Sequence, residues 1–159
     1  MRSPTQVAAL CAAVLVALWV VSGSSAAQFS GASESGLLNA MNQVRVAAGL
    51  RPLRFDGKLH AAARAHSADM IRRGYFGHGA FSRRMNGFHV HARTVGENLA
   101  WGTGPYSAAK TIVQEWLTSP EHRANLLRPG FRLVGVGAAV GVFVGRSGAT
   151  VITADFAGR

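Results

Sequence analysis

The chain has 159 residues, with seventeen basic residues against seven acidic ones, a formal net charge of +10 and a sequence pI of about 11.6. Such a charge suits nucleic acid or anionic envelope surfaces as partners. However, the basic residues, fifteen of which are arginine, are scattered along the chain rather than gathered in one run. This distribution argues against specific nucleic-acid binding.

The first 27 residues have the pattern of a secretory signal peptide. Arg2 gives a short positive start, residues 7–21 are apolar and uncharged, and small residues at 25–27 supply a cleavage site. The apolar run is short for a transmembrane span, so cleavage is favoured over retention as an anchor. The single cysteine, Cys11, falls inside this segment. We therefore expect an exported, monomeric domain without disulfides.

Hydrophobic spacing predicts two helices after a short leader at residues 28–35, with one domain spanning residues 36–159. The first helix has apolar residues at helical spacing, namely Leu37, Met41, Val44 and Ala48, and ends at Gly49. The second begins at the capping residue Asp56, buries a face that includes His66, and ends at Gly74. Residues 75–93 show little periodicity.

The second half of the domain predicts two more helices and a hairpin. Ser107 is placed to cap a third helix, and the segment SPEHRANLL starts a fourth, with Ser119 as cap and Pro120 at the first helical position. Residues 133–144 and 150–156 are rich in β-branched residues and glycine, and the residues between them, Gly145 to Gly148, suit a hairpin turn. Helices followed by a hairpin predict an α+β layered domain.

Local patterns alone leave several candidate site residues open. No short metal-binding, nucleophile or phosphate-loop motif is present, so any site must combine distant residues. His66 suits a core position, and His89 and His91 suit the surface better than a metal clip. His122 falls in the first turn of a helix, where the dipole favours a neutral imidazole. His78 and Glu97 are each either loop residues or members of a site.

Taken in order, these segments resemble the CAP superfamily of cysteine-rich secretory, venom-antigen and plant pathogenesis-related proteins. The matching segments are LLNAMNQVRVAAGLRPLRFDGKL, ARAHSADM, YFGH, VGENLAWG, EWLTSPEHRANLL, FRLVGVG and ITADFAG. EWLTSPEHRANLL resembles the bacterial, SCP-like branch.

The resemblance implies an α-β-α sandwich with a three-stranded antiparallel sheet between helical layers. It also implies a ligand cleft with His78, Glu97 and His122, able to bind a divalent cation such as Zn²⁺. Two imidazoles and one carboxylate form a sensible zinc set with a vacant position. Ser119, expected beside the cleft, stands where eukaryotic members have a second glutamate.

Three functions are compatible with this resemblance. The first is a secreted binding protein that uses the cleft for a metal ion and a lipid or peptide ligand, without established catalysis. The second is a zinc-dependent hydrolase of peptide or cell-wall material, with Glu97 as a metal ligand or general base. The third is a basic surface module that docks to anionic envelope polymers or lipid head groups.

Overall fold

The structure, a computed structural model, describes residues 28–29 and 31–158. The predicted signal peptide at residues 1–27 lies outside the described residues. Within them, no helix has the length and apolar character needed to cross a membrane.

The described part of the chain contains five helices and five strands. The helices are α1 (Gly31–Ala47), α2 (Gly57–Arg73), α3 (Phe81–Gly87), α4 (Ala109–Thr118) and α5 (Pro120–Leu126). The strands are β1 (Gln28–Phe29), β2 (Arg54–Phe55), β3 (Thr94–Gly102), β4 (Phe131–Phe143) and β5 (Arg146–Gly158), and a 3₁₀ turn covers Gly104–Ser107.

The three long strands form the predicted antiparallel sheet. β5 lies in the middle, β4 on one side and β3 on the other, so β3 is an edge strand. The two-residue strands β1 and β2 both pair with β4, antiparallel and parallel respectively. The expected three-stranded sheet is thus present and carries two short additions.

Helices cover both faces of the sheet, as an α-β-α sandwich requires. On one face, α1, α4 and α5 bury a core that includes Met41, Trp116, Leu126 and Phe156. On the other face α2 lies so close to β4 that a Cβ at Gly137 would stand 2.2 Å from the amide nitrogen of Arg64. This helix therefore packs backbone against backbone.

Several predicted boundaries hold for local reasons. Asp56 caps α2, because its carboxylate accepts the amides of Lys58 and Leu59, each at 3.0 Å. Gly74 ends α2 in the left-handed conformation, with φ of 66°. Pro120 occupies the start of α5 as expected.

The segment predicted as a leader, residues 28–35, includes β1 and the first turn of α1. Glu34 anchors this first part of the helix. Its carboxylate accepts two hydrogen bonds from Arg64, at 2.8 and 2.7 Å, and one from the amide of Ala138 at 3.0 Å. These partners lie far away in sequence, so the leader's small residues did not reveal the helix.

Two predicted caps and one turn also differ. Ala108, not Ser107, precedes α4, because the Ser107 hydroxyl donates to the carbonyl of Gly104 in the 3₁₀ turn. Ser119 holds the capping position of α5, but its side chain makes no capping hydrogen bond. The hairpin turn consists of Val144 and Gly145, with φ of 48° and 72°, and is shorter than the predicted turn from Gly145 to Gly148, because Arg146 already pairs with Phe143. Positive φ at both residues is typical of a tight two-residue hairpin turn.

Candidate functional site

The site is built on the edge strand β3, where neighbouring residues point to opposite faces of the sheet. Asn98 points toward α5, and its amide donates to the carbonyl of His122 at 2.9 Å. Asn125 of α5 donates in turn to the carbonyl of Glu97 and to Asn98 Oδ1, both at 3.1 Å. These bonds tie the start of α5 to the strand segment that carries Glu97.

Glu97 points toward the layer that contains α2 and α3, and only 5% of its surface is exposed. Its Oε1 is 2.7 Å from His78 Nδ1, and its Oε2 forms an ion pair with Arg84. His66 Nε2 lies 3.7 Å from the same Oε2. The surface-loop alternative for Glu97 is therefore wrong, since the residue lies on a strand and its carboxylate is enclosed by nitrogen groups.

The structure brings the three predicted residues to one cavity of about 200 Å³. The cavity is lined by His78, Phe81, Glu97, Glu121, His122 and Asn125. His78 comes from the connection between α2 and α3, and its side chain is 58% exposed. Ser119 is not among the lining residues. The expected cleft thus contains the two histidines and the glutamate, but not the serine.

Burial gives the groups around Glu97 unusual protonation behaviour. Burial raises the pKa of Glu97 to about 7, even though the positive charge of Arg84 acts in the opposite direction. Burial, and then the charge of Arg84, lowers the pKa of His66 to about 4, so this imidazole is neutral near pH 7. The pKa of His122 is lowered as well, chiefly by burial and then by His78.

Asp155 is a member of this cluster that the sequence analysis did not identify. Asp155 pairs with Glu97 in the register of β3 and β5, and it is fully buried. Neither carboxyl oxygen has a hydrogen-bond partner, and Oδ1 is 4.0 Å from Arg84 Nη2. Burial and the neighbouring charge of Glu97 raise the pKa of Asp155 well above its usual range. Glu97 and Asp155 therefore form a buried carboxyl pair.

Arg84 was also missed, because it lies in the segment without periodicity that forms the short helix α3. Its side chain is 11% exposed, and besides the ion pair with Glu97 its Nη1 donates to the carbonyl of His78 at 3.2 Å. Its Nε is buried without a partner. The guanidinium of Arg84 thus interacts with both carboxyl groups and with the backbone of the connection that carries His78.

His66, His89 and His91 occupy positions close to those expected. His66 is a core residue whose Nε2 lies 3.0 Å from the carbonyl of Gly77. It also borders the Glu97 carboxylate, which the sequence did not indicate. His89 and His91 are exposed, as the surface alternative predicts.

The donor set fits a metal ion only in part. Among residues 28–29 and 31–158, no three His, Cys, Asp or Glu side chains are arranged so as to hold a metal ion. Glu97 already bonds His78 Nδ1 through one oxygen and Arg84 through the other. His78 Nε2 and the ring of His122 are the two imidazole donors at the cavity. Glu97 is thus placed as the hydrogen-bond partner of His78 rather than as a direct metal ligand.

Comparison with known proteins identifies the family of the chain. The family model of the cysteine-rich secretory protein family, CAP, matches residues 38–150. The protein YkwD of Bacillus subtilis is 35% identical over 119 residues, which cover 72% of this chain and 45% of that protein. Pathogenesis-related protein 1C of Nicotiana tabacum is 28% identical over 93 residues, covering 58% of this chain and 48% of the tobacco protein. The chain therefore spans less than half the length of these relatives.

Solved structures show the same fold. An extracellular protein with an SCP domain from Bacillus anthracis superposes with a TM-score of 0.68 at 28% identity, over 80% of this chain and 41% of that one. An outer surface protein from Borrelia burgdorferi gives a TM-score of 0.72 at 17% identity, over 85% and 98% of the two chains. With the family model matched over most of its length and bacterial SCP proteins among its structural relatives, the chain belongs to the cysteine-rich secretory protein (CAP) family.

Proposed function

We propose that the chain is an exported, monomeric CAP-domain binding protein whose cleft recognises its ligand through His78 and His122. The observation that carries the proposal is the 2.7 Å contact between Glu97 Oε1 and His78 Nδ1. An ionised Glu97 accepts the proton of Nδ1 and leaves the Nε2 lone pair of His78 available. The proposed export rests on the signal-peptide pattern and on the extracellular and outer-surface proteins among the structural relatives.

Zn²⁺ is the proposed ion for this cleft, held by His78 Nε2 and by His122. Two protein ligands leave coordination positions for water or for a lipid or peptide donor, and bound zinc would polarise that donor. Glu97 fixes the tautomer and ring orientation of His78, while Arg84 holds the other oxygen of Glu97. Because the protein supplies few ligands, we expect this binding to be weaker than in a closed structural zinc site.

Zinc titration of the purified protein, followed by competition with a chromophoric chelator, tests this proposal. His78→Ala and His122→Ala should each weaken binding at least tenfold, whereas Glu97→Gln should weaken it about ten- to a hundredfold, as expected of an outer-shell partner. His91→Ala removes an exposed histidine that does not line this cavity and serves as the control. Unchanged zinc affinity in both cleft variants would overturn the metal proposal.

One observation favours hydrolysis as a second candidate function. The pKa of Glu97, raised to about 7 by burial, is close to the value that suits a general base. A hydrolase would cleave peptide or cell-wall fragments and would lose this activity in Glu97→Gln without losing its fold. If the unmodified protein binds such fragments without cleaving them, the hydrolase candidate is wrong and the cleft is a binding site.

A further inference from the structure

A second cavity, separate from the His/Glu cleft, lies at the end of the sheet where β2, β4 and β5 meet. Its volume is about 930 Å³, against about 200 Å³ for the cleft. Its apolar lining, which we call the floor, consists of the buried Ala157, the partly buried Leu133 and the exposed Pro52. Its basic residues, which we call the rim, are Arg51, Arg54, Arg93 and Arg132, with His91 beside them. We call this feature the arginine groove. It combines two recognition elements, an apolar floor and a guanidinium rim.

No acidic side chain of the described residues lines the arginine groove. Among the described residues, none of the four arginines forms an ion pair. Asp56 lines an adjoining cavity, but its carboxylate is committed to capping α2. The other six acids lie elsewhere, at Glu34, Asp69, Glu97, Glu115, Glu121 and Asp155, and none of them lines the groove. Uncompensated guanidinium groups over an apolar floor favour an anion with an apolar part.

The walls of the groove are held in place from beneath. Arg45 is fully buried and donates to the carbonyls of Arg51 at 3.1 Å, Leu126 at 2.8 Å and Phe131 at 3.2 Å. Its guanidinium therefore joins the loop after α1 to the start of β4. Arg54 lies opposite Leu133 in the parallel pairing of β2 with β4. The rim arginines thus extend from a backbone that is already ordered, which reduces the entropy cost of binding.

We propose that the arginine groove binds an anionic phospholipid, with the phosphate at the arginine rim and part of an acyl chain on the apolar floor. Guanidinium groups form paired hydrogen bonds with phosphate oxygens, and the cavity volume falls within the usual range for small-molecule sites. Nucleic acid would use the same arginines for its phosphates but would gain nothing from an apolar floor. The floor is what selects the lipid.

Calorimetric titration with octyl phosphate, inorganic phosphate and uncharged octyl glucoside tests the combination of charge and chain. Octyl phosphate should bind at least tenfold more tightly than either of the others. Within a series from butyl to octyl phosphate, each methylene that enters the groove should strengthen binding by about fourfold. Equal affinity for inorganic phosphate and octyl phosphate, or tight binding of duplex DNA that competes with octyl phosphate, would overturn the proposal.

Variants with equal charge locate the site. Arg54→Ala with Arg93→Ala should weaken octyl phosphate binding at least tenfold, because both arginines are exposed and line the groove. Arg83→Ala with Arg146→Ala removes the same charge outside the groove and should change binding by less than about twofold. If both double variants lose the same affinity for octyl phosphate, the ligand responds only to the net charge of the protein, and the proposal is overturned.

Two further variants keep the test decisive. If the alanine pair does not fold, Arg54→Lys with Arg93→Lys keeps the charge and should still lose part of the affinity, because lysine lacks the planar fork. Full affinity in the lysine pair would then overturn the assignment of paired phosphate contacts. His78→Ala should leave octyl phosphate binding unchanged, so failure of the groove is distinguishable from failure of the zinc cleft.

Discussion

The carboxyl pair of Glu97 and Asp155 predicts a strongly non-additive response to mutation. Arg84 is largely buried, and its ion-pair partner is Glu97, while Asp155 Oδ1 lies 4.0 Å away. Burial and the charge of Glu97 raise the pKa of Asp155 well above its usual range, so Asp155 ionises less readily while Glu97 forms the ion pair with Arg84. Asp155 is therefore a reserve counter-ion for Arg84 that is used only when Glu97 is absent.

The magnitudes follow from this geometry. A unit charge at 4.0 Å from Arg84 contributes about 4 kcal/mol at an effective dielectric constant of about 20. Glu97→Gln removes one charge but lets Asp155 ionise, so we expect a loss of only about 1–2 kcal/mol in the free energy of unfolding. Asp155→Asn should cost about zero, because Arg84 keeps Glu97 as its closer partner and Asp155 lies 4.0 Å from the guanidinium. The double variant leaves a buried cation unpaired and should cost about 3–5 kcal/mol.

Urea unfolding at pH 7, followed by tryptophan fluorescence, measures this cycle. The coupling between the two substitutions should be about 2 kcal/mol, which is within the range for groups in direct contact. Glu115→Gln on the exposed side of α4 is the control and should change the free energy of unfolding by less than about 0.5 kcal/mol. Additivity of Glu97→Gln and Asp155→Asn within about 0.5 kcal/mol would refute the reserve counter-ion.

Two further predictions concern protonation and packing. The lowered pKa of His66, about 4 against 6.5, makes the folded state bind fewer protons than the unfolded state between these values, so its contribution to stability is complete above pH 6.5 and is lost as pH falls to 4. His66→Gln keeps a side-chain donor for the carbonyl of Gly77 but removes the titrating imidazole. Between pH 6.5 and pH 4, the free energy of unfolding should therefore fall by about 3 kcal/mol less in this variant than in the unmodified protein. Parallel pH profiles of the two proteins would contradict the assignment. Gly137→Ala forces a Cβ against the backbone of Arg64 and should lower the free energy of unfolding by about 3 kcal/mol or more, measured by thermal or urea unfolding. The control Gly57→Ala, which places its Cβ in open space, should change the free energy of unfolding by no more than about 1 kcal/mol. Equal effects of the two substitutions would disprove the close approach of helix and sheet.

Much of the cleft was predictable, but only through the resemblance to a family. Local patterns left His78 and Glu97 with two interpretations each, because burial on an edge strand depends on its neighbours. The order of the matching segments then indicated that these residues and His122 share a cleft, and all three line one cavity. Ser119 was placed by the same reasoning and does not line it.

Asp155 and Arg84 could not be predicted, for two different physical reasons. The position of Asp155 depends on the register between β3 and β5, and a shift by one residue would move its side chain to the other face of the sheet. The available signal was a carboxyl inside an otherwise apolar strand. Arg84 belongs to a seven-residue helix without a hydrophobic stripe, too short for periodicity to reveal it.

The alternation along β3 has a consequence for mechanical coupling between the two helical layers. Glu97 contacts the histidine connection on one side of the sheet, and Asn98, the next residue, holds the carbonyl of His122 on the other. A molecule that contacts both imidazoles spans the two helical layers at the edge of the sheet. It can do so only when both layers are packed against the sheet. Binding of such a molecule therefore stabilises the packed arrangement of the two layers, and this stabilisation increases with the concentration of the molecule.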